Sequence, residues 1–297
     1  MARLKCCTFH QKVTMEIIFE DRGLIIRSES LSTLIISDLH LGIEDEISEE
    51  KGIHFPLQDT IIIDRVKLLV QKYKLSTLYI IGDIKHTILT DVPYNWEILP
   101  EFMKNLTEIV QTTIIPGNHD GDLASLLPRC VELADVHGIV LGTGDDSVGL
   151  IHGHSWPAPE LLDTSWIIAG HIHPAVSRFR TVSKPEIGRG DRRRYAGSVP
   201  VVLSSKLSKN CVRRRLGMLE VPDDDIATLT TLPSFNQLIS GTAVNSPRSE
   251  IQGPLFENSC IDVLDSEVYS TDGIYLGTIG WMRERFNETI KSKPESE

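Results

Sequence analysis

The sequence lacks two features that would identify whole classes of protein, a long apolar run and a set of paired cysteines. No apolar run approaches the ~18 residues that a membrane-spanning helix requires, which argues against a helical membrane protein. The five cysteines, at positions 6, 7, 130, 211 and 260 of 297 residues, show no paired spacing. An odd number of cysteines in a chain of this size predicts reduced thiols and a cytoplasmic protein.

The sequence also lacks a general excess of positive charge. Its net charge is −11, which argues against a protein covered with phosphate-binding surface. Positions 178–215 are an exception, because they carry twelve Lys and Arg against only Glu186 and Asp191. This basic segment is either a solvated strand face or a patch that grips a polyanion. Its only candidates for stacking on bases are Phe179 and Tyr195.

The length of 297 residues predicts one large domain or two small ones. The first fourteen residues have no apolar stretch of the kind found in a secretory signal. Met15 directly precedes the first strand-like run, so we expect the natural start there. We expect a single domain over 15–286, with a core at 34–220, a β-rich extension at 221–286 and disordered tails at 1–14 and 287–297.

Short apolar runs alternate with amphipathic stretches, which is the pattern of βαβ units and predicts an α/β fold. Helices are expected up to residue 73, capped by Asp59 or Thr60, and over 94–110. Beyond Pro222, turn signals predict either a small β lobe or loops that fold back onto the sheet. The expected strands are Leu34–Ile36, Leu78–Ile81, Thr112–Ile115, Ile139–Leu141, Val148–Ile151, Trp166–Ile168, Val199–Leu203 and Val212–Leu219.

Seven of the ten histidines fall in five short clusters that also hold carboxylates, an asparagine and glycines. Each cluster follows an apolar, β-branched run, so each is expected at the end of a strand. Strand ends that converge on one rim are how an open α/β sheet assembles a polar site. The clusters are Asp38-Leu39-His40, Gly82-Asp83-Ile84-Lys85-His86, Gly117-Asn118-His119-Asp120, His152-Gly153-His154 and Gly170-His171-Ile172-His173.

Oxygen and imidazole ligands without thiolates suit divalent metals that carry out hydrolytic chemistry. Asp83 is the best candidate to bridge two cations, because it follows a buried strand and Gly82 lets the backbone approach the site closely. Asn118 adds a neutral carbonyl oxygen, and His152 adds another imidazole. The clusters thus offer enough ligands for two near-octahedral sites ~3.5–4 Å apart that share Asp83 and a bridging hydroxide.

Two pairs of candidate ligands have the same spacing. Asp38 and His40 lie two residues apart on an expected extended segment, so their side chains should face the same way. His171 and His173 have this spacing too. The imidazole of His119 is not needed as a ligand, so it can donate a proton to the leaving alkoxide or stabilise the transition state.

Each cluster taken alone also has a purely structural interpretation. An Asp-x-His at a strand end is usually a satisfied polar pair, a Gly-Asp is usually a turn, and Gly-Asn-His-Asp can be an ordinary loop. Two imidazoles at a strand terminus have no evident packing role, however, and all five clusters in this order favour a metal-dependent hydrolase. His10, His54 and His137 have no such neighbours and receive no role.

The order of the clusters resembles the calcineurin-like metallophosphoesterase superfamily, whose motifs are Asp-x-His, Gly-Asp-x-x-(Asp/His), Gly-Asn-His-(Asp/Glu), His-Gly and Gly-His-x-His. This resemblance covers residues 34–175. The flanking residues more closely resemble the SbcD-related archaeal phosphoesterases over nearly the whole chain, so the C-terminal part is expected to belong to the same domain. The segments that carry this second resemblance are His152–Pro157, Ala169–Pro174, Pro233–Asn236, Gly241–Asn245 and Gly253-Pro254.

The resemblance implies a four-layer α-β-β-α sandwich with a dinuclear site at the strand ends. The implied cofactor is two divalent metal ions, expected to be Mn, with Fe, Zn, Ni or Mg as alternatives. His119 would be the catalytic imidazole. The first metal would be held by Asp38, His40 and His173, the second by Asn118, His152 and His171, and both by Asp83.

One position departs from many members of the superfamily. His86 stands where many phosphatases have an aspartate that orients the catalytic histidine. SbcD-type nucleases often have histidine there, which favours a phosphodiesterase, and His86 is assigned to the catalytic group with His119. Asp120 is an alternative candidate for the residue that orients His119, solely because it is the next residue in the sequence. His154 is assigned to the substrate phosphate, with support of a metal ligand or a core position as alternatives.

The leading hypothesis is a Mn²⁺-dependent phosphodiesterase or nuclease in which the bridging hydroxide attacks phosphorus in line. Arg192, Arg193 and Arg194 would bind the backbone of a single-stranded or frayed nucleic acid, and no membrane partner is expected. The alternatives are a small-molecule phosphatase or cyclic-nucleotide phosphodiesterase, which needs no basic groove, and a non-catalytic subunit that binds a DNA-repair partner. The complete ligand set argues against the non-catalytic alternative.

Overall fold

The computed structural model describes residues 15–29, 31–88, 93–182, 192–222 and 225–291. The predicted tail over 1–14 lies outside these residues, as do positions 292–297 of the second predicted tail. Residues 287–291 instead form the end of a helix, Ile279–Lys291.

The first sheet has six strands that lie in the order of the sequence. Its first three strands pair antiparallel and the remaining strands extend the sheet in parallel. Parallel strands buried on both faces read as continuous apolar runs, which is why their positions were predictable. The strands are β1 Glu16–Glu20, β2 Gly23–Arg27, β3 Ser32–Ser37, β4 Thr77–Ile81, β5 Gln111–Ile115 and β6 Glu132–Leu133.

The second sheet contains the remaining strands and includes the C-terminal part of the chain. Strand β12 lies between β11 and β9, so the segment beyond 222 is an integral part of this sheet. The order is β13-β10-β11-β12-β9-β8-β7, and β14 pairs with β11 and with β15. The strands are β7 Ile139–Leu141, β8 Val148–Leu150, β9 Trp166–Ala169, β10 Pro174–Val182, β11 Arg192–Ser208, β12 Ile226–Thr231, β13 Thr242–Ala243, β14 Glu267–Ser270 and β15 Tyr275–Thr278.

The helices differ in detail from the sequence prediction. The first long helix begins at Gln58, after Leu57, so neither Asp59 nor Thr60 caps it. The helix expected over 94–110 is two helices, because Pro100 has no N–H to donate to the preceding turn. No helix within the described ranges is long and apolar enough to cross a membrane. The helices are α1 Ile43–Lys51, α2 Gln58–Tyr73, α3 Pro93–Glu97, α4 Leu99–Ile109, α5 Lys209–Arg215, α6 Pro254–Glu257 and α7 Ile279–Lys291.

The two sheets pack face to face and are flanked by helices, in agreement with the expected four layers. Alternation along β3 divides its side chains between two cores. Ile35 packs between the sheets with Ile168 and Val202 of the second sheet. Leu34 and Ile36, on either side of Ile35 in the sequence, face the opposite way, against helices α2 and α4. The outer face of the second sheet is covered by residues of α5 and α6.

The strand expected over Val212–Leu219 is wrong, since its first half belongs to helix α5. The hydroxyl of Ser208 accepts a hydrogen bond from the backbone N–H of Cys211 and caps this helix. Lys209 and Arg213, one turn apart, both contact Asp225 at 2.9 Å. Val212, which suggested a strand, is therefore on the buried apolar face of a helix whose other face is basic.

The expectation of reduced thiols is wrong for two cysteines. Cys211 and Cys260 form a disulfide between residues 49 positions apart in the sequence, with their Cα atoms 5.3 Å apart. Cys130 is free and exposed. Disulfides persist mainly in oxidising compartments, so the cysteine count no longer supports a cytoplasmic location.

Candidate metal centre

The predicted ligands lie at the ends of strands from both sheets, on one rim of the sandwich. Asp38 directly follows β3, Gly82-Asp83 follow β4, and Asn118 lies in the turn after β5. These three strands are parallel, so their carboxyl ends meet at the same edge. From the second sheet, the parallel strands β8 and β9 deliver His152 and His171. Two sheets thus supply one site.

The backbone of the ligand loops is left-handed rather than extended. The φ angles are 56° at Asp38, 42° at His40, 49° at Asp83, 70° at His171 and 43° at His173. The expectation that Asp38 and His40 lie on an extended segment is therefore wrong, although both side chains reach the same cluster. His171 and His173, with the same spacing, reach two different clusters.

The first cluster contains ligand atoms of Asp38, His40, Asp83 and His173, all within 4.8 Å of one another. His173 Nε2 lies 3.0 Å from Asp38 Oδ1. His40 Nε2 lies 3.3 Å from His173 Nε2 and 3.6 Å from Asp83 Oδ2. Two imidazole nitrogens and two carboxylates therefore converge on one point.

The second cluster contains Asp83, His152 and His171, also within 4.8 Å. His152 Nε2 lies 3.4 Å from Asp83 Oδ2 and 3.3 Å from Asn118 Oδ1. Oδ2 of Asp83 thus lies between the two clusters. This arrangement brings together all seven predicted ligands in the two sets that the resemblance implied.

The contacts of His152 show that a cation fits this site. Its Nδ1 lies 3.0 Å from the carbonyl oxygen of Ile81, which can only accept, so Nδ1 carries the hydrogen. In the neutral ring, Nε2 is then a lone pair that faces the oxygens of Asp83 and Asn118. Three electron-rich atoms in a buried position need either an additional proton or a cation between them.

The pKa values of the surrounding groups suit metal binding. Burial lowers the pKa of His40 to about 3 and that of His171 to about 4, because desolvation penalises the imidazolium. Burial opposes ionisation of Asp38 and Asp83, but contacts with His173 and His152 lower the pKa of each carboxyl. Two imidazoles of the site are therefore neutral and its carboxylates are ionised, whereas contact with these carboxylates raises the pKa of His152 and His173 despite their burial.

Two glycines give the ligands room. A Cβ on Gly82 would lie 2.0 Å from His152 Nδ1, and Gly82 also has φ +82°. A Cβ on Gly117 would lie 2.2 Å from Asp83 Oδ1. The close approach expected at Gly82 is therefore present, and Gly117 adds a second instance beside the shared carboxylate.

His119 lies against the shared carboxylate. Its backbone N–H donates to Asp83 Oδ1 at 2.9 Å, and its Nδ1 lies 2.5 Å from the carbonyl oxygen of His86. A carbonyl accepts only, so Nδ1 carries the hydrogen and Nε2 is the atom available for proton exchange. The ring is therefore oriented by the main chain of residue 86 rather than by its side chain.

Asp120 does not orient His119, so this prediction is wrong. Its Oδ1 accepts from the backbone N–H of Ile84 at 2.9 Å and its Oδ2 from that of Gly117 at 2.8 Å. Burial raises its pKa. The carboxyl group joins the loops that follow β4 and β5, which fixes Asp83 relative to Asn118.

The side chain of His86 lies beside the rings of His40 and His119, with one ring nitrogen of each residue within 4.8 Å of the others. Its Nε2 lies 2.8 Å from Glu46 Oε2, and its Nδ1 lies 3.5 Å from His40 Nδ1. Sequence reasoning missed Glu46, because an exposed acidic residue on an amphipathic helix carries no signal of a site.

His154 lies beside the second cluster. Its ring centroid is 5.1 Å from that of His152 and 6.1 Å from that of His171. Its Nδ1 is buried and has no hydrogen-bond partner among the described residues. Burial lowers its pKa to about 4. This position next to the ligands is compatible with the predicted phosphate contact.

Sequence reasoning also missed the segment over 233–236, which holds the first ligand loop. The Ser234 hydroxyl donates to the Asp38 carbonyl at 2.6 Å, and Asn236 Nδ2 donates to the Leu39 carbonyl at 2.7 Å. Arg65 in turn donates to the Phe235 carbonyl at 2.6 Å. The segment was noticed only as part of the resemblance, without a role.

The basic segment is less free than its composition suggested. Lys209 and Arg213 are paired with Asp225, and Arg214 is paired with Glu220. The predicted substrate residues 192–194 begin strand β11, where their backbone pairs with residues 180–182 of β10. Strand β10 starts directly after His173, so this hairpin extends outward from the rim.

Comparison with known proteins agrees with the site. Residues 31–175 match the family model described as calcineurin-like phosphoesterase. The match supports the calcineurin-like metallophosphoesterase superfamily. All seven candidate ligands, together with His86, His119 and His154, lie inside the matched residues. The matched residues make up just under half of the 297-residue chain.

Among curated proteins, none matches the chain. Similar solved structures include a nuclease from Pseudomonas putida named MPE, with 17% identity over 93% of this chain and 99% of that chain and a TM-score of 0.48. The protein AQ665 of unknown function from Aquifex aeolicus has 19% identity over 48% and 78%, with a TM-score of 0.34. The phosphoesterase YfcE from E. coli has 17% identity over 57% and 98%, with a TM-score of 0.31.

Proposed function

We propose that this protein is a dinuclear metal-dependent phosphodiesterase that resembles the SbcD-related archaeal phosphoesterases and acts as a nuclease on single-stranded or frayed nucleic acid. The observation that carries the proposal is the carboxylate of Asp83, which lies between two sets of ligands. The first metal would be held by Asp38, His40 and His173, and the second by Asn118, His152 and His171. Manganese is the expected metal.

The chain's own residues support hydrolysis of a phosphoester in a defined way. Two divalent cations, when bound, lower the pKa of a water molecule and neutralise charge on the phosphoryl group. Water adds to phosphorus as the bond to the leaving oxygen breaks, and that oxygen needs a proton. His119 can deliver it from Nε2 as the imidazolium, which keeps its other hydrogen on Nδ1 against the His86 carbonyl, and the proton lost by the attacking water then replaces the one delivered. His154 would contact the phosphate from the side of the second cluster.

The hairpin formed by β10 and β11 supports a long substrate. Arg192–Arg194 pair with residues 180–182, seven or more positions beyond His173. At about 3.3 Å per residue this places their backbone roughly 20 Å along the strand from the metal ligands. Such a distance is spanned by an oligonucleotide and not by a small phosphoester.

One observation favours the second candidate, a small-molecule phosphatase or cyclic-nucleotide phosphodiesterase. Lys209, Arg213 and Arg214 form ion pairs within the protein, so they leave less free charge for a polyanion. The two candidates differ in whether the hairpin arginines matter.

The test of chemistry is substitution of His119. We expect His119→Ala to lower turnover of bis(p-nitrophenyl) phosphate by about 10²–10⁴-fold, with Mn²⁺ binding retained. His54→Ala is the matched control and should keep full activity, because His54 is an exposed histidine outside the clusters. Hydrolysis by His119→Ala at the wild-type rate would remove His119 from the mechanism.

The test of substrate is charge reversal at Arg192, Arg193 and Arg194. We expect the triple Glu variant to cleave an oligonucleotide more slowly, with a steeper loss at low salt, and to hydrolyse bis(p-nitrophenyl) phosphate as the wild type does. Equal losses on both substrates, or none on either, would contradict a nucleic-acid role for the hairpin.

A further inference from the structure

His86 connects the first metal cluster to helix α1. Its Nδ1 lies 3.5 Å from His40 Nδ1, and its Nε2 lies 2.8 Å from Glu46 Oε2. The three side chains therefore form a row from the cluster to the protein surface, where the Glu46 side chain is 60% exposed.

The direction of hydrogen bonding in this row follows from His40. Its Nε2 faces the first cluster, 3.6 Å from Asp83 Oδ2 and 3.3 Å from His173 Nε2. A cation held there requires an unprotonated Nε2, so the ring hydrogen of His40 lies on Nδ1. The acceptor that the structure offers to this hydrogen is Nδ1 of His86.

The tautomer of His86 is then also determined. If Nδ1 accepts from His40, the hydrogen of the neutral His86 ring lies on Nε2. Nε2 faces the carboxylate of Glu46 at 2.8 Å, and a carboxylate is a strong acceptor. One arrangement of hydrogens therefore satisfies Glu46, His86 and His40 together with a cation in the cluster.

The backbone holds the three residues in register. Leu41 and Lys85 form a parallel bridge, and the N–H of His86 donates to the Leu41 carbonyl at 2.9 Å. Helix α1 starts at Ile43, two residues after Leu41. It is anchored by Glu44, whose Oε1 accepts a hydrogen bond from the backbone N–H of Gln58 at 3.0 Å. The helix that presents Glu46 is thus fixed at its first turn.

We infer that Glu46 is a positioning residue that acts through His86 to orient His40 toward the first metal. The inference rests on the proposed function for the metal pair, and it changes the part assigned to His86 from a catalytic group to a connecting one. Partners that fix the ring of a metal-binding histidine typically change metal affinity by about 10–100-fold. The exposed position of Glu46 places the expected effect at the lower end of this range.

The first experiment measures Mn²⁺ affinity by competition with a chelator. We expect Glu46→Ala to weaken one of the two Mn²⁺ sites about tenfold and leave the other unchanged. Glu46→Gln keeps an oxygen acceptor and should restore part of the affinity. Glu50→Ala is the matched control, because it removes the same charge from an exposed position of the same helix.

The outcomes separate the inference from the function on which it rests. A wild-type protein that binds no Mn²⁺ overturns both. Two wild-type sites together with an affinity in Glu46→Ala equal to that in Glu50→Ala overturn the role of Glu46 alone.

A second experiment reads the hydrogens directly. In ¹⁵N-histidine-labelled, Zn²⁺-loaded protein, NMR should show His86 with hydrogen on Nε2 and His40 with hydrogen on Nδ1. Glu46→Ala should lose the single His86 tautomer while its melting temperature stays that of Glu50→Ala. A wild-type His86 with hydrogen on Nδ1 would overturn the inference even if Glu46→Ala binds metal weakly.

Discussion

Five of the candidate ligands are Asp or His residues that can bind a metal and that also adopt a left-handed backbone conformation. Asp38, His40, Asp83, His171 and His173 all have positive φ, a conformation that costs of order 1–3 kcal/mol at each position unless the surroundings hold it. Asp and His adopt this region more readily than most residues. The strain is concentrated at the residues proposed to hold metal, which is where such strain is commonly found.

The glycine before Asp83 should be irreplaceable. In Gly82→Ala the new Cβ would lie 2.0 Å from His152 Nδ1 at a position with φ +82°, so we expect a loss of at least about 3 kcal/mol in unfolding free energy. Mn²⁺ binding should also fall, because His152 must move. Urea unfolding and a Mn²⁺ titration measure the two effects.

Gly52→Ala is the control for backbone strain alone. Gly52 has φ +63° and no atom within 4 Å of an added Cβ, so the substitution should cost about 1 kcal/mol and leave Mn²⁺ binding intact. Equal effects of the two substitutions on metal binding would show that close approach to His152 does not matter.

Metal binding should release a proton from His152. Burial alone would lower the pKa of His152, but its hydrogen bond with Asp83 and the charge of Asp38 raise it to about 9 in the metal-free protein. The stabilisation is therefore complete below about pH 6.5, the ordinary value, and is lost as pH rises through about 9. Unfolding of the metal-free protein should become easier from pH 7 to 9.

Calorimetry provides the check on this proton. Titration of Mn²⁺ at pH 7 in two buffers of different ionisation enthalpy should show about one proton released from this ring. Saturating Mn²⁺ should abolish the dependence of stability on pH above 7. Binding without proton release would mean that His152 is neutral before the metal arrives.

At the scale of elements, the loop after β3 depends on a segment nearly two hundred residues later. We expect Asn236→Ala to lower the unfolding free energy by about 1–3 kcal/mol, because the buried Leu39 carbonyl loses its donor. Mn²⁺ affinity should fall about tenfold, since the loop carries Asp38 and His40. Urea unfolding and chelator competition measure the two quantities.

Asn245→Ala is the matched control for this substitution. Asn245 is similarly buried and makes two hydrogen bonds with the backbone of Ser177. We expect a similar loss of stability with unchanged Mn²⁺ affinity. If the two variants bind Mn²⁺ equally well, the segment over 233–236 supports the fold and not the ligand loop.

The disulfide should stabilise the outer layer of the second sheet. Cys211 on α5 is joined to Cys260 across 49 positions, and closing a loop of this length typically contributes about 2–4 kcal/mol. Reduction should lower the unfolding free energy measured in urea by that amount in a background in which Cys6, Cys7 and Cys130 are replaced by Ser, which leaves only the two bonded cysteines. Coincident transitions with and without reductant would contradict a stabilising role.

The elements differ in how far the sequence predicts them. Apolar runs such as Leu78–Ile81 predict β4 well, because a strand buried on both faces needs apolar residues throughout. The run around Val212 was ambiguous between strand and helix, and a distant acid, Asp225, together with the Ser208 cap decides for the helix. The Cys211–Cys260 pair depends on tertiary contact, which spacing in the sequence does not contain.

At the scale of the whole molecule, the rim site exists because two sheets meet with their parallel strand ends on one side. The sequence predicted this convergence, because each cluster of potential metal ligands follows an apolar run and such runs predict buried strands. It did not predict that β12 inserts between β11 and β9, or that Ser234 and Asn236 hold the first ligand loop. Those features arise from long-range packing of residues that carry no chemical motif.

The central claim is that Asp83 is shared by two cations. The most direct measurement is anomalous diffraction from crystals of the protein grown with Mn²⁺. The account predicts two peaks about 3.5–4 Å apart, one beside His40 and His173 and the other beside His152 and His171. A single peak, or none next to the Asp83 carboxylate, would contradict it.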